Sequence, residues 1–192
     1  MNALILIGGK STRMGSDKSS ISYKGKIHRN YLAELLLTIG LEQVYFSCSE
    51  EQSKTLDLAY PIIVDQYLEI GPIGGVLSAI HYESDKAWLV VGCDYPLLGK
   101  ETLQQLLNQR KTNADATIFQ HPKSQILEPL IAIYEPSSFP KIKTAFQDRQ
   151  YSLRKILQTL EFNYLHPSAP HQLMNANTPK ERDKILAYLK KR

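Results

Sequence analysis

At 192 residues and 43% hydrophobic content, the chain is long enough to bury one substantial core and short for two. A charged fraction of 22% with a net charge of only +4 argues against a disordered polyelectrolyte, and two cysteines, Cys48 and Cys93, argue against a disulfide framework or a zinc cage. The apolar opening, residues 1–7, lacks a basic flank and is too short for a signal-peptide core; no later stretch approaches membrane-spanning length. A cytoplasmic location with no membrane partner is therefore expected.

The first predicted element is a strand over residues 3–7, an unbroken aliphatic run that ends at Gly8-Gly9. A helix follows at about 30–39, with Leu32, Leu35, Leu36 and Ile39 at three- and four-residue spacing and Gly40 to stop it. Strands are expected at 44–46 and 61–64, a helix at 74–82, and a strand at 88–91 that is apolar on both faces. The second half predicts strands at 116–119 and 130–134 and helices at 152–160 and 178–189. Thr178 N-caps the last helix, Pro179 occupies its first turn and Glu181 completes a capping box. The Pro-rich stretch 167–170 reads as a loop, and Cys48 and Cys93, at the ends of apolar runs, as small core residues. The terminal Lys190-Lys191-Arg192 reads as a solvated last turn rather than a nucleic-acid surface, because no aromatic residues interleave it.

Strands alternating with helices in this way describe an α/β fold with a mostly parallel sheet. The loop after the first strand, Asp65 after the third and Asp94 after the fourth would then share the sheet's carboxyl edge, where open α/β sheets bind ligands.

The densest chemical signal is Leu6-Ile7-Gly8-Gly9-Lys10-Ser11-Thr12-Arg13-Met14-Gly15-Ser16-Asp17-Lys18. Paired glycines let backbone N–H groups approach a polyphosphate, Ser11 and Thr12 offer hydroxyls, and Arg13 and Lys18 supply a forked and a point cation. Two common phosphate loops are excluded. Leu4 stands where a Walker A loop needs its first glycine, and Lys10 where a dinucleotide loop needs its second. None of the five histidines forms an i, i+4 metal pair, so most are expected on the surface or in loops, with His121 a candidate to line a cleft.

This loop resembles the L-x-G-G-x-S-x-R-M-G-x-D-K signature of the bacterial molybdenum cofactor guanylyltransferases. Further along, Asp65 with Gly71-Pro72-Ile73-Gly74-Gly75, Cys93-Asp94-Tyr95-Pro96, Glu128-Pro129-Leu130, Ser152-Leu153-Arg154 and Asn175-Ala176-Asn177-Thr178-Pro179 resemble the later motifs in order and spacing. Departures are Ile7 for alanine, Tyr95 for methionine or threonine, and Ile27-His28 for a Pro-aliphatic pair.

The resemblance implies a three-layer α/β/α, Rossmann-like nucleotidyltransferase fold in one domain over residues 1–192. About 1–100 would bind nucleotide and about 101–192 the acceptor. It also implies a Mg²⁺-dependent transfer of GMP from GTP to molybdopterin, with cofactor-delivery proteins as further candidate partners. Under it, Arg13, Lys18 and Asp94 are catalytic, with Asp94 also holding Mg²⁺. The nucleotide is bound by Leu6, Ile7, Gly8, Gly9, Lys10, Ser11, Lys18, Asp65, Gly71, Pro72 and Asp94. The acceptor side draws on Glu128, Ser152, Arg154, Asn175 and Asn177.

Taken alone, several of these residues fit plainer roles. Asp94 and Asp65 could each begin a turn, and Asn177 could belong to the cap of the final helix. Three rival functions also stay open: cytidylylation of the same cofactor, nucleotidyl transfer to a sugar or alcohol phosphate, and a non-catalytic nucleotide-binding adaptor.

Overall fold

The computed structural model describes residues 1–8, 21–23, 25–57, 59–122 and 124–189. Side-chain alternation along the first strand, β1 (Asn2–Leu6), divides the interior into two layers. Ala3 and Ile5 join a cluster built on α1 (His28–Thr38) and α4 (Lys100–Asn108), through Leu32, Leu36, Leu103 and Leu106. Leu4 and Leu6 face the other way, onto α3 (Pro72–Tyr82), α5 (Ser138–Gln147) and α6 (Leu153–Leu157), through Val76, Ile80, Ile142 and Ile156. A sheet buried on both faces needs strands apolar on both faces, which is how β1, β4 (Val44–Cys48) and β6 (Trp88–Gly92) read.

The remaining strands of this sheet are β5 (Ile62–Val64), β7 (Ala116–Gln120), β8 (Leu127–Tyr134) and β9 (Phe162–Leu165). The seven strands lie in the order β5-β4-β1-β6-β8-β7-β9. β5, β4, β1 and β6 are mutually parallel, β8 runs antiparallel to both neighbours, and β9 is parallel to β7. From β1 the chain moves outward to β4 and β5, then crosses back to β6 on β1's other side. The carboxyl ends of β1 and β6 therefore flank a topological switch point, where such sheets open a crevice. This is the expected three-layer α/β architecture with a mostly parallel sheet.

A small hairpin, β2 (Ser22–Tyr23) with β3 (Lys26–Ile27), precedes α1, and its Tyr23 packs with Ala176 and with Ile185 of α7 (Pro179–Leu189). Along the ladder of β7 and β8 the register shifts between Ile118 and Phe119, which places Phe119 opposite Glu128. That irregularity accommodates Pro129 inside a strand, since proline cannot donate to a regular ladder. Elsewhere β8 begins three residues before the expected strand, α6 stops at Leu157 rather than 160, and α1 starts at His28 rather than 30. Cys48 is buried and Cys93 half-buried. No described helix is long and apolar enough to cross a membrane.

Candidate functional site

Because β1, β4, β5 and β6 run parallel, the residues that leave their carboxyl ends meet on one edge. Ile7 and Gly8 both donate backbone N–H groups to the Ser47 carbonyl, at 3.0 and 3.1 Å, which carries β1 one step past its last strand residue. A Cβ at Gly8 would stand 3.0 Å from Asp65 Oδ2, so the glycine's bareness is what admits the carboxylate. Asp65 is fixed from two directions. Its N–H donates to the Cys48 carbonyl at 2.8 Å, and its Oδ1 accepts from the Ser47 hydroxyl at 2.6 Å. Burial raises the Asp65 carboxyl above the usual carboxylate range, and the Ser47 hydrogen bond partly offsets this.

Gly71 and Gly74 shape the entry to α3, and Gly75 walls the same corner as Asp65. Gly71 has φ 76° and ψ −159°, a left-handed conformation suited to glycine, and it N-caps α3 ahead of Pro72. A Cβ at Gly74 would lie 2.1 Å from the Tyr67 carbonyl oxygen, and one at Gly75 would lie 2.3 Å from Ser47 Oγ and 2.6 Å from Leu6 Cδ2. The Gly-Pro-x-Gly-Gly segment thus lets the first turn of α3 press against the ends of β1 and β4. Leu6 itself is a core side chain beneath this corner, and Ile7 is buried against the opposite layer.

Asp94 leaves the end of β6 on the other side of β1. Cys93 donates its N–H to the Leu6 carbonyl at 3.2 Å, and a Cβ on Gly92 would come within 2.7 Å of Asp94 Oδ1. The carboxylate thus folds back over the strand end, half-buried. Ala176 donates its N–H to the Asp94 carbonyl at 2.8 Å, which sets Asn175 alongside in the backbone. Among the described residues no group of three or more His, Cys, Asp or Glu side chains forms a cage for a metal. One carboxylate beside an amide-bearing segment is a sparse set of hard oxygen donors.

In the second half, Glu128 is buried on β8, where its Oε1 accepts a short hydrogen bond from the Tyr95 hydroxyl. Its Oε2 lies 3.6 Å from His121 Nε2. Burial raises the Glu128 carboxyl; the Tyr95 hydrogen bond, His121 and Arg154 oppose it. Burial, followed by the charges of Glu128 and Asp94, raises the Tyr95 hydroxyl, which therefore remains a donor. Arg154 is exposed on α6, near enough to act electrostatically on both Tyr95 and Glu128, and Ser152 is exposed at the start of that helix.

Asn177 takes part in the cap of α7. Its N–H and that of Thr178 donate to Glu181 Oε2 at 3.0 and 2.9 Å, and Glu181 returns a bond to Thr178 Oγ1 at 3.3 Å. That is the reciprocal box read from the sequence. Gly9, Lys10, Ser11, Arg13 and Lys18 lie outside the described residues, as does Lys190-Lys191-Arg192.

His28 departs from the expectation of surface histidines: it is 1% exposed, edge-on to Tyr23 and stacked on Tyr31. Desolvation pulls it down to about 4, so the neutral ring donates through Nε2 to the Tyr95 carbonyl at 3.1 Å. It also borders a separate cavity of about 170 Å³ with Tyr31, Gly99, His171, Gln172 and Tyr188. Sequence reasoning also passed over Ser47 and Tyr95 as partners of Asp65 and Glu128. Neither stands in a motif that announces its partner, which lies 18 and 33 residues away.

A molybdenum cofactor biosynthesis bifunctional protein of Synechocystis sp. is 30% identical over 183 residues, which are 95% of this chain. The chain spans about half of that protein, 52% of its length. A molybdenum cofactor guanylyltransferase of a Shewanella species is 26% identical across 98% of this chain and 96% of its own. Among solved structures, molybdopterin-guanine dinucleotide biosynthesis protein A from Archaeoglobus fulgidus superposes over the full length of both chains with a TM-score of 0.83 at 24% identity, a likeness of fold. The model of the MobA-like NTP transferase domain matches residues 3–166, and the chain belongs to that family of nucleotidyltransferases.

Proposed function

We propose that this nucleotidyltransferase transfers GMP from GTP to molybdopterin, forming the guanine dinucleotide form of the cofactor and releasing pyrophosphate. The observation that carries this reading is the convergence of Gly8, Asp65 and Asp94 on one sheet edge at the switch point, in a chain of this family. The guanylyltransferase name of the full-length Shewanella relative supports guanine as the base and molybdopterin as the acceptor.

In the reaction, an oxygen of the molybdopterin phosphate forms a bond to the α-phosphorus of GTP while the bond from that phosphorus to the α,β-bridging oxygen breaks. Pyrophosphate leaves with the electron pair. Such a transfer demands charge neutralisation more than a side-chain nucleophile. Lys18 is assigned to the α-phosphate and Arg13 to the departing pyrophosphate. Asp65, an acceptor pinned beside Gly8, suits the N–H edge of guanine. Asp94 would hold Mg²⁺, which when bound neutralises phosphate charge. The polypeptide would then work as one domain. Residues 1–100 would carry the nucleotide, and Glu128, Ser152, Arg154, Asn175 and Asn177 would border the acceptor.

The test is pyrophosphate release with molybdopterin and each nucleoside triphosphate in turn. GTP should support turnover and CTP should not; release with CTP alone would move the chain to the cytidylyl reaction. Replacing Lys18 by Ala should lower kcat by roughly 10²–10³, the size found when one preorganised transition-state donor is removed.

A further inference from the structure

Tyr95 follows Asp94 directly and is held at two points by distant parts of the chain. Its hydroxyl donates to Glu128 on the antiparallel strand β8, and its carbonyl accepts from His28 at the start of α1. Both partners are buried, Glu128 at 7% exposure and His28 at 1%, and Tyr95 itself is 1% exposed. The preceding carbonyl, that of Asp94, is taken by Ala176. The carboxylate at the end of β6 therefore sits in a stretch whose main chain and side chain are tied to three other segments. Glu128 in turn has its second oxygen toward His121, and Arg154 stands close by.

We propose that Tyr95 is a positioning residue for the transfer reaction: its bond to Glu128 fixes the orientation of Asp94 and sets the nucleotide half and the acceptor half as one unit. The proposal rests on the guanylyltransferase reading above. A phenylalanine at 95 keeps the ring and removes only the hydroxyl; a glutamine at 128 keeps the shape and removes the charge that the hydroxyl meets. Residues joined by one bond act non-additively, whereas two separate structural defects add.

The experiment measures kcat and KM for GTP with molybdopterin in Tyr95→Phe, Glu128→Gln and the double variant, together with hydrogen exchange of residues 93–99 in the nucleotide-free protein. The expected result is a kcat about tenfold lower in each single variant, KM for GTP within twofold of the parent, a double variant no worse than the poorer single one, and faster exchange in 93–99. Parental kcat in Tyr95→Phe, or losses that multiply in the double variant, would overturn the proposal. If the parent protein shows no turnover with GTP and molybdopterin, the reading of the reaction falls by itself. Exchange then decides: unchanged protection of 93–99 in Tyr95→Phe, or in Glu128→Gln should the first variant not fold, overturns the positioning role, and faster exchange supports it.

Discussion

Asp65 combines two properties: its carboxyl is raised by burial, yet one oxygen is pinned by Ser47 and the other faces a glycine. Because the folded-state value is raised, ionising Asp65 works against the folded state. Its contribution is fully present below the ordinary value of 3.8 and is lost as pH rises through the folded value. In Asp65→Asn that loss should vanish, flattening the pH dependence of stability just above 3.8, measurable by thermal melts across acid pH. GTP affinity should run the other way and fall as the carboxylate is protonated. At neutral pH, Asp65→Asn should weaken GTP about ten- to hundredfold by calorimetry, as befits a charged hydrogen bond of about 1.5–3 kcal/mol. Equal affinity in the variant would remove the guanine role. Asp65 and Asp94 were legible in the sequence because each ends an apolar run, and parallel strands bring such ends together. Ser47, Tyr95 and the burial of His28 were not, because a side chain's partner across the fold leaves no periodic trace in its own segment.

At the scale of elements, α3 meets β1 and β4 through Gly75 and the segment after β5 through Gly74, and neither leaves room for a methyl group. Gly75→Ala would drive a Cβ to 2.3 Å from Ser47 Oγ and 2.6 Å from Leu6 Cδ2. It should cost about 1–3 kcal/mol in denaturant unfolding, the range for overpacking, and should weaken GTP by disturbing the Ser47–Asp65 bond. A stable variant with parental GTP affinity would show the corner to be pliable. The capping box of α7 makes a smaller claim. Thr178→Ala should lose about 1 kcal/mol, and the melting temperature should drop by roughly 2–4 °C. That box was readable because both partners sit within four residues. α2 (Glu50–Thr55) escaped notice since it has no buried residue and so no apolar period, although Ser49 and Gln52 form a capping box of their own. α4 was missed despite Leu103 and Leu106 at the right spacing, and α5 carries a proline in its first turn, which masks a helix from its pattern.

Across the whole molecule, strand order does what no single motif can. The crossover from β5 back to β6 makes the switch point between β1 and β6, and the antiparallel β8 brings Glu128 up against Tyr95. The parallel half was legible because its strands are apolar on both faces and separated by helical patterns. The second half was only partly so: β9, on the edge, is only partly buried and lacks that signature, and β8 contains a proline that shortens the apparent strand. The mostly parallel sheet and the family followed from the sequence, while the wiring between the two halves needed the fold.

The most direct measurement is a crystal structure of the protein with GTP and Mg²⁺. Guanine should bond to Asp65 beside Gly8, and the ion should sit between Asp94 and the phosphates, with Lys18 on the α-phosphate. A nucleotide bound instead in the cavity bordered by His28 and Tyr188, or one whose base and metal avoid Asp65 and Asp94, would contradict the account.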